Sequence, residues 1–262
     1  MNDAALLFEV RGPVAWLTLN RVKAMNAINL EMITLFEKYL PEIAADEKIR
    51  VLVVTGAGTA FCAGADLKEV LESADLPPGE DDFLDRVAAN LLAVLRDFPK
   101  PVIAALNGIT LAGGLETAMS CDIVVACDEA KIGDAHANFG VYPGGGGAAI
   151  LPRLVPQNVA KYLLFTGKTL SAREMQTYGF VNEVVSAEKL IEATQNLAEE
   201  IAQKSPVALR RMKAVANASL DKSRDAALEH EQVMLRKHMR SFDMFEGLKA
   251  FAEKRKPLFR GR

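Results

Sequence analysis

PVIAALNGITLAGGLETAMSCDIVVA, residues 101–126, carries two apolar runs on either side of a glycine-bearing turn and a short helical signal. PVIAAL, and DIVVA after its opening Asp122, are apolar runs of strand length. A parallel sheet covered on both faces asks for such runs, whereas a half-exposed strand would alternate. GGLETAM between them opens on glycine and continues in helix formers. Strand, glycine turn, helix and strand in this order predict an α/β chain.

The same pattern lies upstream. RVLVVT at 50–55 is a buried-type strand, and TGAGTAFCAGADLKE at 55–69 follows it with glycines and a helix start. Leu6–Val10 and Pro13–Leu19 flank Arg11-Gly12 and predict a hairpin. Met32, Leu35, Phe36, Leu40 and Ile43 recur at helical spacing behind Asn29, a predicted N-cap. Residues 73–90 are acidic and carry Pro77-Pro78-Gly79, which predicts a mobile loop leading into a helix. From Ser171 the character changes. Ser171 and Glu174 form a capping box, Ser205-Pro206 opens a further helix, and Arg224–Arg240 is amphipathic with Leu228, Leu235 and Met239 on its apolar side. The last 60 or so residues therefore read as mostly helical.

Composition bounds the function. Half of the 262 residues are apolar and a quarter charged, the mix of a globular protein with a sizeable core. A net charge of −3 argues against nucleic acid or an anionic membrane as partner. Three scattered cysteines make no disulfide framework, and a reducing, cytoplasmic setting is expected. The first residues lack the basic and apolar regions of a signal peptide, and no run of about 18 apolar residues predicts a membrane span.

Two glycine turns, each after a buried strand, leave backbone N–H groups free. Brought together, they would offer two donors to one oxygen, an oxyanion hole. Gly113 and Glu116 are three apart, so a carboxylate would stand beside a carbonyl polarised at Gly113. Taken alone, each feature has a plainer meaning. Gly-Gly before a helix is commonly a tight turn, and a glutamate in a first turn complements the helix dipole. Other chemistries find no support. GAGTAF places Phe61 where a dinucleotide fingerprint needs its third glycine. YPGGGG lacks the Lys-Ser/Thr ending of a P-loop. No Gly-x-Ser-x-Gly elbow occurs, and His136, His230 and His238 have no metal-ligand spacing with the cysteines.

NRVKAMNA at 20–27, AFCAGADLKE at 60–69, NGITLAGGLETAMSCD at 107–122, PGGGG at 143–147 and AFAEKRKPLF at 250–259 occur in an order that resembles the enoyl-CoA hydratase/isomerase (crotonase) superfamily over essentially the whole chain. The resemblance implies an α/β fold with a crotonase-like ββα spiral core over residues 1–200, holding an acyl-CoA site. It implies a C-terminal helical oligomerisation region over 201–262 and a homo-oligomer, a trimer or a dimer of trimers. Ala65 and Gly113 would supply the oxyanion N–H groups; Gly113 is the middle of the family's Gly-Gly-Gly, here Ala-Gly-Gly. Backbone around Lys23, Ala24 and Met25, and around Ala63, Ala65, Asp66 and Leu67, would line the CoA cleft. Lys68 and Lys254 would face the phosphate and adenosine end. No permanently bound cofactor or metal is implied; coenzyme A enters as part of the substrate.

One position departs from the pattern. Hydratases of this family typically use two glutamates; Glu116 matches the first, and His136, twenty residues on, stands where the second would be. A histidine there changes the charge and pH profile of the acid–base pair and removes a two-carboxylate water clamp, while enolate chemistry stays intact. The leading expectation is an acyl-CoA hydratase or isomerase using Glu116 with His136. The alternatives are a β-dicarbonyl C–C bond hydrolase or acyl-CoA hydrolase on the same fold. A non-catalytic or nucleic-acid-binding member is disfavoured by the acidic balance and by Glu116. The acyl pocket is expected to draw on 73–90 and on residues near Val141 and Tyr142.

Overall fold

A computed structural model describes residues 4–73 and 83–262. The predicted loop after Ser73 falls largely outside these residues. The chain begins with the expected hairpin, β1 (Leu6–Arg11) and β2 (Val14–Leu19), paired antiparallel about Gly12 at φ +58°. Helix α1 (Leu30–Ala45) follows; Asn29 Oδ1 accepts the Met32 N–H at 3.0 Å. Its Met32, Ile33, Phe36, Leu40 and Ile43 are buried.

Three consecutive turns of a spiral then repeat one plan. The first is β3 (Val51–Gly56), β4 (Ala60–Cys62) and α2 (Leu67–Ser73). Before the second turn lie α3 (Phe83–Arg86), a π-helical segment (Val87–Leu92) and α4 (Ala93–Arg96). The second turn is β5 (Val102–Leu106), β6 (Ile109–Leu111) and α5 (Gly113–Met119). The third is β7 (Ile123–Cys127), β8 (Lys131–Gly133) and a 3₁₀ turn, His136–Phe139. Each turn sends its first strand to one sheet and its second to another. The larger sheet has the order β1-β2-β3-β5-β7-β10, all parallel from β2 onward, and the smaller is β4-β6-β8-β9. The sequence predicts only glycine turns where β4 and β6 lie; three-residue strands are too short to show a period of two.

The buried strands explain their composition. Val53, Val54, Ile103, Ala104, Ala105, Val125 and Ala126 have no exposed surface, because the larger sheet is packed on both faces. Residues 140–189 add α6 (Leu151–Leu154), α7 (Gln157–Thr166), β9 (Thr169–Ser171), α8 (Ala172–Thr177) and β10 (Glu183–Val185). Ser171 and Glu174 form the predicted capping box, with Glu174 Oε2 2.8 Å from the Ser171 N–H.

Helix α9 (Leu190–Ala202) lies across β2, β3, β5 and β7. Three helices complete the chain: α10 (Pro206–Ser219), α11 (Arg224–His238) and α12 (Phe242–Ala252). Lys213 ties α10 to the core through Asp122 at 2.7 Å, and the same carboxylate accepts the Val102 N–H at 2.8 Å. On α11 and α12 the apolar residues stay open in the single chain: Leu228 is 51% exposed, Phe245 64% and Phe251 86%. These side chains are not buried against the core of the same chain.

Candidate active site

The carboxyl ends of β4 and β6 and the heads of α2 and α5 meet around a cavity of about 230 Å³. Ala63, Ala65, Leu67, Gly113, Glu116 and His136 all line it, so residues far apart in sequence share one wall.

The two proposed donors are arranged by local backbone chemistry. Ile28 bridges Ala65 in parallel: the Ile28 N–H donates to the Gly64 carbonyl at 2.8 Å, and the Asp66 N–H donates to the Ile28 carbonyl at 2.8 Å. In that pattern the flanking peptide groups are used, and the N–H of Ala65 itself points to the other side. Gly113 is the first residue of α5, where an N–H has no acceptor within the helix. A Cβ on Gly113 would lie 3.3 Å from the Ala65 nitrogen, so the two loops approach closely and a side chain would crowd the hole. Before it, Ala112 adopts φ +48°, ψ −119°, a conformation that favours glycine. Holding alanine there costs about 1–3 kcal/mol, strain of the kind kept at functional sites.

Glu116 is buried at 4% exposure. Its Oε1 accepts the N–H of Gly145 at 2.8 Å and of Gly147 at 3.0 Å. Oε2 has no such partner among the described residues, and Glu116 lines the cavity. The YPGGGG run thereby acquires a purpose. A Cβ on Gly145 would fall 2.6 Å from Glu116 Oε2, and one on Gly147 would fall 2.5 Å from Asp134 Oδ2. Sequence reading finds in this run a phosphate loop that fails its pattern and a motif of the family resemblance, with no contact assigned to it. A glycine run without a phosphate motif is still a signal, since it marks backbone that must pass close to something.

His136 is held by a residue that sequence reading misses. Asp134 Oδ1 lies 3.0 Å from His136 Nδ1 and also accepts the His136 backbone N–H at 3.3 Å. Burial alone would lower the histidine's pKa. The hydrogen bond and charge of Asp134, aided by Glu116, outweigh it, and the net shift is upward from the ordinary 6.5. This pairing stabilises the fold fully below 6.5 and loses that contribution as pH rises through the raised midpoint.

The other predicted residues lie outside this cavity. Lys23 and Ala24 belong to a 3₁₀ turn, and Met25, at φ +48°, accepts the Ala63 N–H at 3.0 Å. Asn26, fully buried at φ +57°, donates to the carbonyls of Ala57 and Ala60 at 2.9 and 2.7 Å. NRVKAMNA is thus the brace of the AFCAGAD loop. Asp66 is spent on Arg21 at 2.8 Å. Lys68 and Lys254 are exposed. Beside Glu116 and His136, the cavity wall is largely apolar: Val70, Leu84, Val87, Leu111, Phe139, Val141 and Tyr142, with Asp85 as a further carboxylate.

A spiral of ββα turns with a C-terminal helical region and a buried glutamate at the head of α5 defines a crotonase-type protein. Comparison with known proteins narrows this. The family model described as enoyl-CoA hydratase/isomerase matches residues 9–262. The short-chain-enoyl-CoA hydratase of Clostridium acetobutylicum is 36% identical over 252 residues, covering 96% of this chain and 95% of the relative. The 2,3-dehydroadipyl-CoA hydratase of Escherichia coli is 36% identical, covering 95% and 96%. The crystal structure of an enoyl-CoA hydratase from Bacillus anthracis superposes with a TM-score of 0.92 at 33% identity, covering 98% of this chain and 100% of the other. The chain belongs to the enoyl-CoA hydratase/isomerase family of the crotonase superfamily, a family that includes lyases and isomerases.

Proposed function

We propose that this enzyme binds an acyl-CoA thioester, stabilises its enolate between the N–H groups of Ala65 and Gly113, and moves protons with Glu116 and His136 to hydrate or isomerise an enoyl group. The observation that carries the reading is the cavity itself. Ala65 and Gly113, whose N–H groups have no hydrogen-bond acceptor among the described residues, line it together with Glu116 and His136. The thioester oxygen takes up negative charge between fixed donors in a water-poor cleft, where each donor is worth roughly 10²–10³ in rate. In hydration, Glu116 takes a proton from water as its oxygen adds to the β-carbon, and His136 gives a proton to the α-carbon of the enolate. In isomerisation, Glu116 removes a proton from the acyl chain and His136 returns one at the other end of the dienolate. Atoms and charge balance in both, and a thioester oxyanion is common to both. The hydratase relatives support this substrate class. The CoA moiety would run along the backbone of Lys23–Met25 and Ala63–Leu67, with Lys68 and Lys254 toward its phosphates.

The test replaces His136. In the parent, kcat/KM should fall as pH rises through the His136 midpoint, which lies above 6.5. His136→Gln should lose that limb and about 10²-fold in rate. His136→Glu keeps a proton donor and should retain more activity than the glutamine variant. Enoyl absorbance followed together with free thiol separates hydration from thioester hydrolysis. A glutamine variant with unchanged rate and pH profile would leave His136 as a wall of the pocket.

The open apolar face of α11 and α12 supports assembly with further copies of the chain, as a trimer or a dimer of trimers. Light scattering at micromolar concentration should show no monomer; a monodisperse monomer overturns the assembly.

A further inference from the structure

We propose that Asp134 is the positioning residue of the acid–base pair: its buried carboxylate holds a proton on His136 Nδ1 and leaves Nε2–H to the acyl group, so that three residues do the work of a carboxylate and a carboxylic acid. The proposal rests on the roles given above to Glu116 and His136, and it adds a residue that those roles do not require.

Three observations meet at Asp134. The first is geometry. Ala135 takes a left-handed φ of +60° and folds the chain back, so that Asp134 Oδ1 meets both the ring nitrogen and the peptide N–H of His136. Two bonds to one carboxylate oxygen fix the ring about both ends of the residue.

The second is burial. The Asp134 side chain is 1% exposed, and its Oδ2 has no hydrogen-bond partner among the described residues. A buried carboxylate with one oxygen unpaired is costly unless a positive charge stands beside it. The His136 imidazolium at 3.0 Å is the cation in contact with it. From the other elements, Glu116 faces the ring from α5 and Asp85 shares the cavity from α3; Lys161 of α7 and Lys131 of β8 are exposed. The charges of Asp134 and Glu116 both favour the imidazolium.

The third is the joint position of Gly147. Its N–H holds Glu116 Oε1, while a Cβ there would strike Asp134 Oδ2. One glycine thus separates the two carboxylates and registers them against each other.

Charge counting shows what the arrangement achieves. A pair of glutamates sharing one proton carries one negative charge and one transferable proton. Glu116 and Asp134 ionised, with His136 protonated, also carry one negative charge and one transferable proton. A histidine alone beside Glu116 would leave the site neutral. Asp134 restores the balance under which charge develops on the thioester oxygen.

The test reads the ring directly, without turnover. With labelled histidine, the His136 signal is the one lost in His136→Gln. In the parent at high pH, the ¹⁵N shifts should show the Nδ1–H tautomer; the Nε2–H tautomer would overturn the proposal, and this measurement needs no change at Asp134. In Asp134→Asn the His136 titration midpoint should fall below the parent's, and kcat should drop about tenfold or more at pH 8 but less near pH 6, with KM little changed. Asp134→Glu should recover part of both. An unmoved midpoint, with the rate reduced equally at all pH, would make Asp134 merely structural. If His136→Gln keeps its rate while Asp134→Asn still shifts the midpoint, the hold of Asp134 on the ring stands and the catalytic reading of His136 fails.

Discussion

Glu116→Gln is expected to lower turnover by about 10² or more while leaving acyl-CoA affinity and folding nearly unchanged. Glutamine keeps the shape, and its carbonyl oxygen can still accept the N–H groups of Gly145 and Gly147 that now hold Oε1 at 2.8 and 3.0 Å. The amide nitrogen would then replace Oε2 at the cavity. It cannot take a proton, so the first step of either reaction loses its base. The apolar neighbours are untouched, so the thermal midpoint should hold. Gly145→Ala provides the companion case. It keeps the carboxylate but sets a Cβ 2.6 Å from Oε2, so the group must move. A loss of comparable size there would show that position as well as chemistry matters. Steady-state kcat and calorimetric affinity for a non-reacting acyl-CoA measure both. A Glu116→Gln enzyme within tenfold of the parent would make Glu116 a residue of the helix start and nothing more.

Much of the scaffold is legible in the sequence because its signals are local. The Asn29 cap, the Ser171–Glu174 box and the apolar runs of β3, β5 and β7 depend on neighbours within a few residues. The smaller sheet is not legible in this way. Its strands are three residues long, and they form because the spiral brings Ala60, Ile109 and Thr110, and Ile132 side by side, not because of their own pattern. The site divides likewise. Glu116 and Gly113 lie within one helical turn. The clamp on Glu116 comes from glycines 29 and 31 residues away, which only the fold brings near. Asp134 lay closer to hand. An aspartate two residues before a histidine, on a sharp turn, can reach both its backbone and its ring.

The oxyanion assignment has its sharpest test in Ala65→Pro. Proline removes one backbone donor and nothing else that the ladder needs. The Ile28–Ala65 bridge uses the Gly64 carbonyl and the Asp66 N–H, and both survive the substitution. The residue before the new proline is Gly64, at φ +113°, whose missing side chain relieves the usual crowding ahead of proline. Gly113→Pro would be a poorer probe, because it follows Ala112, already strained at φ +48°. With one donor gone, the enolate oxygen keeps only the Gly113 N–H. Turnover should fall roughly 10²–10³-fold, the cost of one such donor. Because the ground-state carbonyl gains less from these bonds than the oxyanion does, KM should change far less than kcat. The loss should also be independent of pH, since no titrating group is removed; this separates it from the His136→Gln variant, whose loss relative to the parent shrinks as pH rises, and from the Asp134→Asn variant, whose loss grows. A folded Ala65→Pro enzyme with near-parental kcat would mean that the thioester oxygen is held elsewhere, and the acid–base roles of Glu116 and His136 would then need a different carbonyl to act upon.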